Sequence, residues 1–298
     1  MPAIPERLLL LGAFAALYLI WGSTYLAIRI GVASWPPLLL AGVRFLLAGG
    51  ILYAWLRWRG TQPPTAAQWR SACLLGSLLL VCGNGGVTVA ESLGAASGVA
   101  ALMVATVPLF TLLFGLLWGQ RNSRLDWAAI ILGLLGIGLL NSGASLQASP
   151  LAAVLLLLAP AGWALGSVWG RYLAVPAGVM ASASQMLAGG AILLLGSLLS
   201  GERMQQWPDA AGWVALGYLT LFGSIIAYSA YLYLLKTVRP AAATSYAYVN
   251  PVVAVLLGVA FAEEHFGTTE ALAMVVIVAA VLLTALPQWR FRPGTRGV

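Results

Sequence analysis

Charge is what this chain most lacks. Asp, Glu, Lys and Arg make up 8% of its 298 residues, against about a quarter in a soluble domain. So little polar material cannot cover a water-facing surface, and a soluble globular fold is excluded. Histidine is nearly absent too: His265 stands alone, beside Glu263 and Glu264, and no His/Cys cluster has metal-ligand spacing. The two cysteines, Cys73 and Cys82, fall on one expected helix. At about 1.5 Å per residue they are ~13 Å apart, too far to bridge within it. No glycine-rich phosphate loop follows a strand; Gly133-Leu134-Leu135-Gly136-Ile137-Gly138 reads as helix packing. No enzyme, cofactor or metal is expected.

What is abundant is apolar sequence. The chain is 61% hydrophobic with a mean hydropathy of +0.94, and about 20 apolar residues cross a bilayer. Crossings are expected near 8–31, 37–57, 69–90, 94–119, 125–143, 151–173, 178–200, 209–235, 240–262 and 268–287. The fold class is therefore an all-α membrane protein of ten transmembrane helices. The first run is too long for the apolar core of a signal peptide and reads as a retained helix. Breakers mark the short loops, as at Trp35-Pro36-Pro37, Gln62-Pro63-Pro64, Ser149-Pro150 and Trp207-Pro208.

Ten crossings put both termini on one side. With them inside, Arg7, Arg57, Arg59, Arg70, Arg121, Arg124, Arg171, Lys236, Arg239, Arg290, Arg292 and Arg296 are cytoplasmic, leaving only Arg29, Arg44 and Arg203 outward. Lys/Arg bias sets orientation, so both termini are expected in the cytoplasm of an inner (plasma) membrane protein. The net charge of +7 then needs no nucleic-acid partner. The expected partners are the lipid bilayer and a small solute, and the expected state is a monomer.

The two halves resemble each other. Pro108 and Gly115 match Pro251 and Gly258 at an offset of 143; Trp21 and Arg29 match Trp163 and Arg171 at 142; Leu47-Ala48-Gly49-Gly50 matches Leu187-Ala188-Gly189-Gly190 at 140. Residues 1–146 and 147–298 thus read as two five-helix repeats. Five crossings is odd, so the second copy is expected upside down. Inverted repeats with broken helices in corresponding places are a transporter architecture with a central site.

These features carry a resemblance. The Trp21-Gly22-Ser23 turn, Arg44 early in the second helix and the Pro251…Gly258…Glu264 run resemble the drug/metabolite transporter superfamily, specifically its EamA-type ten-helix members. Length and aromatic content are most similar to its aromatic amino-acid exporters. The resemblance spans nearly the whole chain and implies alternating access. Two features depart from it: Gln120 stands where the family usually has Glu, and the first helix lacks the acid that the small multidrug members use for protons and cations.

Ionisable and polar groups in mid-membrane normally face a cavity or a partner. Arg44 is expected either to meet a substrate carboxylate or to serve packing, with Glu91 as an ion-pair partner; Arg29 and Arg171 read as interface anchors. The other substrate-site candidates are Trp21, Asn84 in the Gly83-Asn84-Gly85-Gly86 gap, Met103, Trp163, Trp169, Tyr228, Tyr231, Tyr246, Tyr248 and Asn250. Pro108, Pro160 and Pro251 are candidate hinges. An aromatic-lined cavity with few polar groups suits solutes with flat or apolar side chains. Export of small neutral or aromatic amino acids is the expected activity. Without a clear intramembrane acid pair, facilitated diffusion is expected over tight proton coupling. The alternatives are a nucleotide-sugar or nucleoside carrier and a membrane scaffold.

Overall fold

The computed structural model describes residues 6–142, 149–238, 246–265 and 267–289. The repeat boundary at 146/147, Arg239, Arg290, Arg292, Arg296 and the side chain of Tyr248 lie outside the described residues. Among the described residues the chain is helical, with no strand. In order the helices are α1 (Arg7–Val32), α2 (Pro37–Trp58), α3 (Ala66–Ser92), α4 (Ser97–Trp118), α5 (Arg124–Asn141), α6 (Pro150–Tyr172), α7 (Val179–Leu199), α8 (Ala210–Thr237), α9 (Tyr246–Phe261) and α10 (Thr268–Trp289). Seven of them, α1–α4 and α6–α8, are long and apolar enough to cross a membrane; α5, α9 and α10 fall short over their described residues.

The starts of these helices are written locally. Pro37 occupies the first turn of α2 and Pro150 that of α6, where a missing N–H costs nothing. Thr65 with Gln68, and Ser123 with Asp126, form reciprocal capping boxes at α3 and α5. The Asp209 carboxylate accepts from Gly212 N–H at the start of α8 (2.8 Å).

Side-chain contacts fix the direction of seven of the helices. At one end the Glu202 carboxylate accepts from Leu38 and Leu39 N–H at the start of α2. There too Arg29 of α1 donates to the Glu91 carbonyl of α3. Glu264, beyond α9, accepts from Ser97 N–H (2.7 Å), Ser97 Oγ (2.9 Å) and Gly98 N–H (3.3 Å) at the start of α4. This is the acidic end. At the other, basic end Trp118 of α4 stacks on Tyr172 of α6, and Tyr53 of α2 meets Trp69 of α3. So α1, α3, α7 and α9 finish at the acidic end, whereas α2, α4 and α6 finish at the basic end.

The seam between the halves is backbone against backbone. A Cβ on Gly49 of α2 would lie 2.8 Å from Leu187 N, and one on Gly190 of α7 would lie 2.8 Å from Leu46 N. One glycine of each Gly-Gly pair, Gly49 and Gly190, therefore lies against the opposite helix of the seam, while Gly189 packs on Gly76 and Leu80 of α3. Small residues allow this approach, which supplies the dispersion contacts that hold helices together in lipid.

Candidate solute cavity and its aromatic cluster

Three helices are wound wide in mid-membrane, at Ala16–Trp21 in α1, Gly76–Gly85 in α3 and Leu219–Tyr228 in α8. Such π turns are uncommon and frequently sit at functional places. Here they converge. Five aromatic rings from four helices meet beside them: Trp21, Trp163, Tyr228, Tyr231 and Tyr246. Trp21 lies 5.5 Å from Trp163, 5.1 Å from Tyr231 and 5.2 Å from Tyr246, centroid to centroid. Edge-on contacts dominate (Trp21–Trp163 at 82°, Trp21–Tyr246 at 81°), the arrangement that opposing ring quadrupoles favour.

Hydrogen bonds hold the rings in place. Trp163 Nε1 donates to Tyr231 Oη at 3.1 Å, and Tyr231 Oη also meets Ser167 Oγ at 2.9 Å. Tyr228 Oη donates to Gln185 Oε1, and Trp21 Nε1 donates to the Gly223 carbonyl. Gly83 is what lets Trp163 in, since a Cβ there would lie 2.8 Å from Trp163 Cε3.

Two spaces flank this cluster. Towards the acidic end a cavity of about 50 Å³ is lined by Thr24, Tyr25, Ile28, Asn84, Val87 and Val104, with Trp21, Trp163 and Tyr246 among its remaining walls. Towards the basic end a crevice of about 120 Å³ is lined by Ser167, Arg171, Gln185, Leu232, Leu235 and Lys236 among others. Ligand pockets usually measure several hundred Å³. Both spaces are smaller than that, and the rings of the cluster stand between them.

Of the residues singled out in the sequence, six are brought together: Trp21, Trp163, Tyr228, Tyr231 and Tyr246 in the cluster, and Asn84 in the cavity wall. The Asn84 amide makes no side-chain hydrogen bond among the described residues. Arg44 stands one layer behind. It is 2% exposed, and its Nε donates to Ser224 Oγ at 2.8 Å. Trp169 is at the basic end, 6.3 Å from Trp118. Met103 is buried outside the cavity wall, its carbonyl accepting from Thr106 Oγ1. Asn250 is buried away from the wall, with Oδ1 lacking a partner among the described residues.

The hinges differ from one another. α4 breaks at Ala105–Thr106, one turn before Pro108 is fully inside the helix, while Pro160 and Pro251 lie within helices that continue through them. The expected Arg44–Glu91 pair is not formed. Arg44 faces the wide turn of α8, whereas the Glu91 carbonyl takes Arg29 Nη1 at 3.0 Å. Arg29 is half-buried near the end of α1 and held by that carbonyl. Glu264 serves as a cap between the halves, while Glu263 and His265 are exposed.

Tyr25, Thr24, Ser167, Gln185 and Ser224 escaped the sequence reading. Gln185 left a trace: it is a full amide in an apolar run, next to Ser184, the counterpart of Arg44. The small hydroxyls left none, because a serine or threonine in a membrane helix usually bonds its own helix, as Ser167 also does to the Trp163 carbonyl.

The EamA-like transporter family model matches residues 8–142 and again 150–286. The chain belongs to that family. It is 53% identical to YedA, an inner membrane transporter of Escherichia coli (strain K12), over 96% of this chain and 94% of the relative. It is 29% identical to the protein PecM of Dickeya dadantii (strain 3937), over 89% and 88% respectively. A crystal structure at 23% identity shares the fold with a TM-score of 0.67, covering 95% of this chain and 99% of the other. This EamA-like protein is an integral membrane protein of several passes, built as its transporter relatives are.

Proposed function

We propose that this EamA-like protein is an inner-membrane transporter of ten crossings, in two inverted repeats, that exports small solutes with flat or apolar side chains. Neutral and aromatic amino acids and related metabolites are the class in view. The observation that carries the reading is the five-ring cluster, drawn from α1, α6, α8 and α9, standing between a cavity on one side and a crevice on the other. Opposed helix directions support the inversion: α1 finishes at the acidic end and its repeat counterpart α6 at the basic end, and α2 and α7 differ in the same way. Lys/Arg bias supports a cytoplasmic basic end, with both termini on that side.

On this reading the two halves rock about the glycine seam, with the break before Pro108 and the wide turns of α1, α3 and α8 taking up the strain. The ring layer separates the two solutions at the midplane. Asn84, in the cavity wall, offers its amide to a polar head while the rings take the apolar part. A solute gradient alone drives such a cycle unless an ionisable group travels with it.

A second reading has one observation in its favour. Arg171 and Lys236 both line the basic-end crevice, which gives a nucleoside or nucleotide-sugar carrier the cationic groups that such a solute needs.

Counterflow in proteoliposomes tests both, with labelled phenylalanine, threonine and a nucleoside. Amino-acid exchange that falls at least tenfold in Trp163→Ala and Asn84→Ala is the expected result. Nucleoside exchange alone would favour the second reading. No exchange of any solute by well-folded protein would remove both and leave a scaffold.

A further inference from the structure

Glu91 is the acid the cavity does not explain. It is 0% exposed, and among the described residues neither carboxyl oxygen has a hydrogen-bond partner. Four acids near other helix ends are satisfied: Glu264, Glu202, Asp126 and Asp209 each accept from backbone N–H groups. A bare carboxylate cannot be buried in this way without a heavy desolvation cost. A carboxylic acid can be, at the cost of one neutral hydroxyl.

The groups around it are few. From α1 come Arg29, whose guanidinium bonds the Glu91 backbone carbonyl and whose charge also acts on the carboxyl, and Tyr25. From beyond α9 comes Glu264, held on the start of α4. The facing parts of α4 and α6 bring no charge, and the buried charge of α2, Arg44, points to α8. Tyr25, Ile28 and Val87 all line the cavity, and Val87 is one turn before Glu91 on the same helix. Glu91 therefore lies immediately beyond the acidic-end wall of the cavity.

We propose that Glu91 is a proton-binding site, and that closing the acidic end loads it with a proton that moves against the exported solute. The inference rests on the transporter reading. The chemistry is a single protonation: a carboxylate that water reaches while the acidic end is open takes one proton from that solution and becomes the neutral acid that the closed bundle can bury. When the cavity opens at the basic end, water reaching Tyr25 provides an exit for the same proton. The expectation of uncoupled diffusion rested on the lack of an intramembrane acid pair. On this proposal Glu91 supplies that cycle with a buried acid of its own.

Two measurements test it. The first needs no solute: infrared spectra of the purified protein near neutral pH, wild type against Glu91→Gln. The carbonyl stretch of a protonated acid, absent from the variant, is expected; its absence from the wild type would overturn the proposal. The second is transport. A pH gradient, acid on the side of the acidic end, should drive solute efflux severalfold faster in wild type. In Glu91→Gln, neutral without a proton, solute counterflow should persist while the response to the gradient disappears. Glu91→Asp, which keeps the acid, should retain the response, so a folding defect in one variant does not hide the answer. Wild-type flux indifferent to the gradient would overturn coupling even if the infrared band is present. If no solute exchanges at all, the transporter reading fails, while the infrared result still decides whether Glu91 holds a proton.

Discussion

Trp163 is the residue on which most of the central contacts meet: three rings, Tyr231 Oη and the bare backbone of Gly83. Truncation to alanine removes a buried indole and leaves a void, at a cost of about 3–5 kcal/mol. Trp163→Phe keeps most of the packing and loses the N–H donor to Tyr231, at about 1 kcal/mol. Thermal unfolding in detergent should therefore rank wild type, then Phe, then Ala, with the second gap the larger. Equal Tm values for the two variants would mean that the hydrogen bond, not the ring, is the main contribution. Both residues of this pair were legible in the sequence, because a tryptophan and a tyrosine far from the helix ends are hard to place in an aromatic belt. Arg44 was legible as a candidate and misread in its partner. Only the fold turns it towards Ser224 and away from Glu91.

Helices α3 and α4 carry the element-scale arguments. The Gly83-Asn84-Gly85-Gly86 gap was readable as missing side-chain surface, but the sequence could not say what fills it. Trp163 does, opposite Gly83, and Leu193 lies against Gly85. Gly83→Val should force the indole out of its seat and destabilise by about 1–3 kcal/mol, as overpacking does. Solute exchange should fall with it, and unchanged exchange would show that the cluster tolerates displacement. At the start of α4, Glu264 joins the two halves through one hydroxyl and two backbone donors, with the charge placed at a helix N-terminus. Glu264→Ala should loosen the acidic end. With Cys73 replaced by serine and Cys82 by alanine, a cysteine placed at Ala95, buried here, should be slow towards a membrane-impermeant maleimide. It should become severalfold faster in the Glu264→Ala background; equal rates would deny Glu264 a role in closure.

The whole molecule is organised by direction. Its acidic end gathers Glu202 and Glu264, and its basic end Arg57, Arg59, Arg121, Arg124 and Arg171. In intact cells, a cysteine at Gln206 in the same cysteine-free background should react with an impermeant reagent, and one at Gly119 only after permeabilisation. The reverse pattern would invert the assigned orientation and the direction of the proposed proton step with it.

Composition, hydropathy and the recurring Pro, Gly and Trp spacings determined that this is a helical membrane protein with two similar halves. They could do so because the bilayer imposes length and polarity helix by helix. The break at Pro108 was written locally too, since a proline removes a donor wherever it falls. What the tertiary structure alone decided is convergence: which of the deeper aromatic rings meet one another, and which face of each wide turn looks inward. It also decided that Glu91, expected to pair with Arg44, is buried with no hydrogen bond to its carboxyl among the described residues. Burial and partnership depend on contacts between residues far apart in the chain, and hydropathy along one helix carries no record of what packs against it.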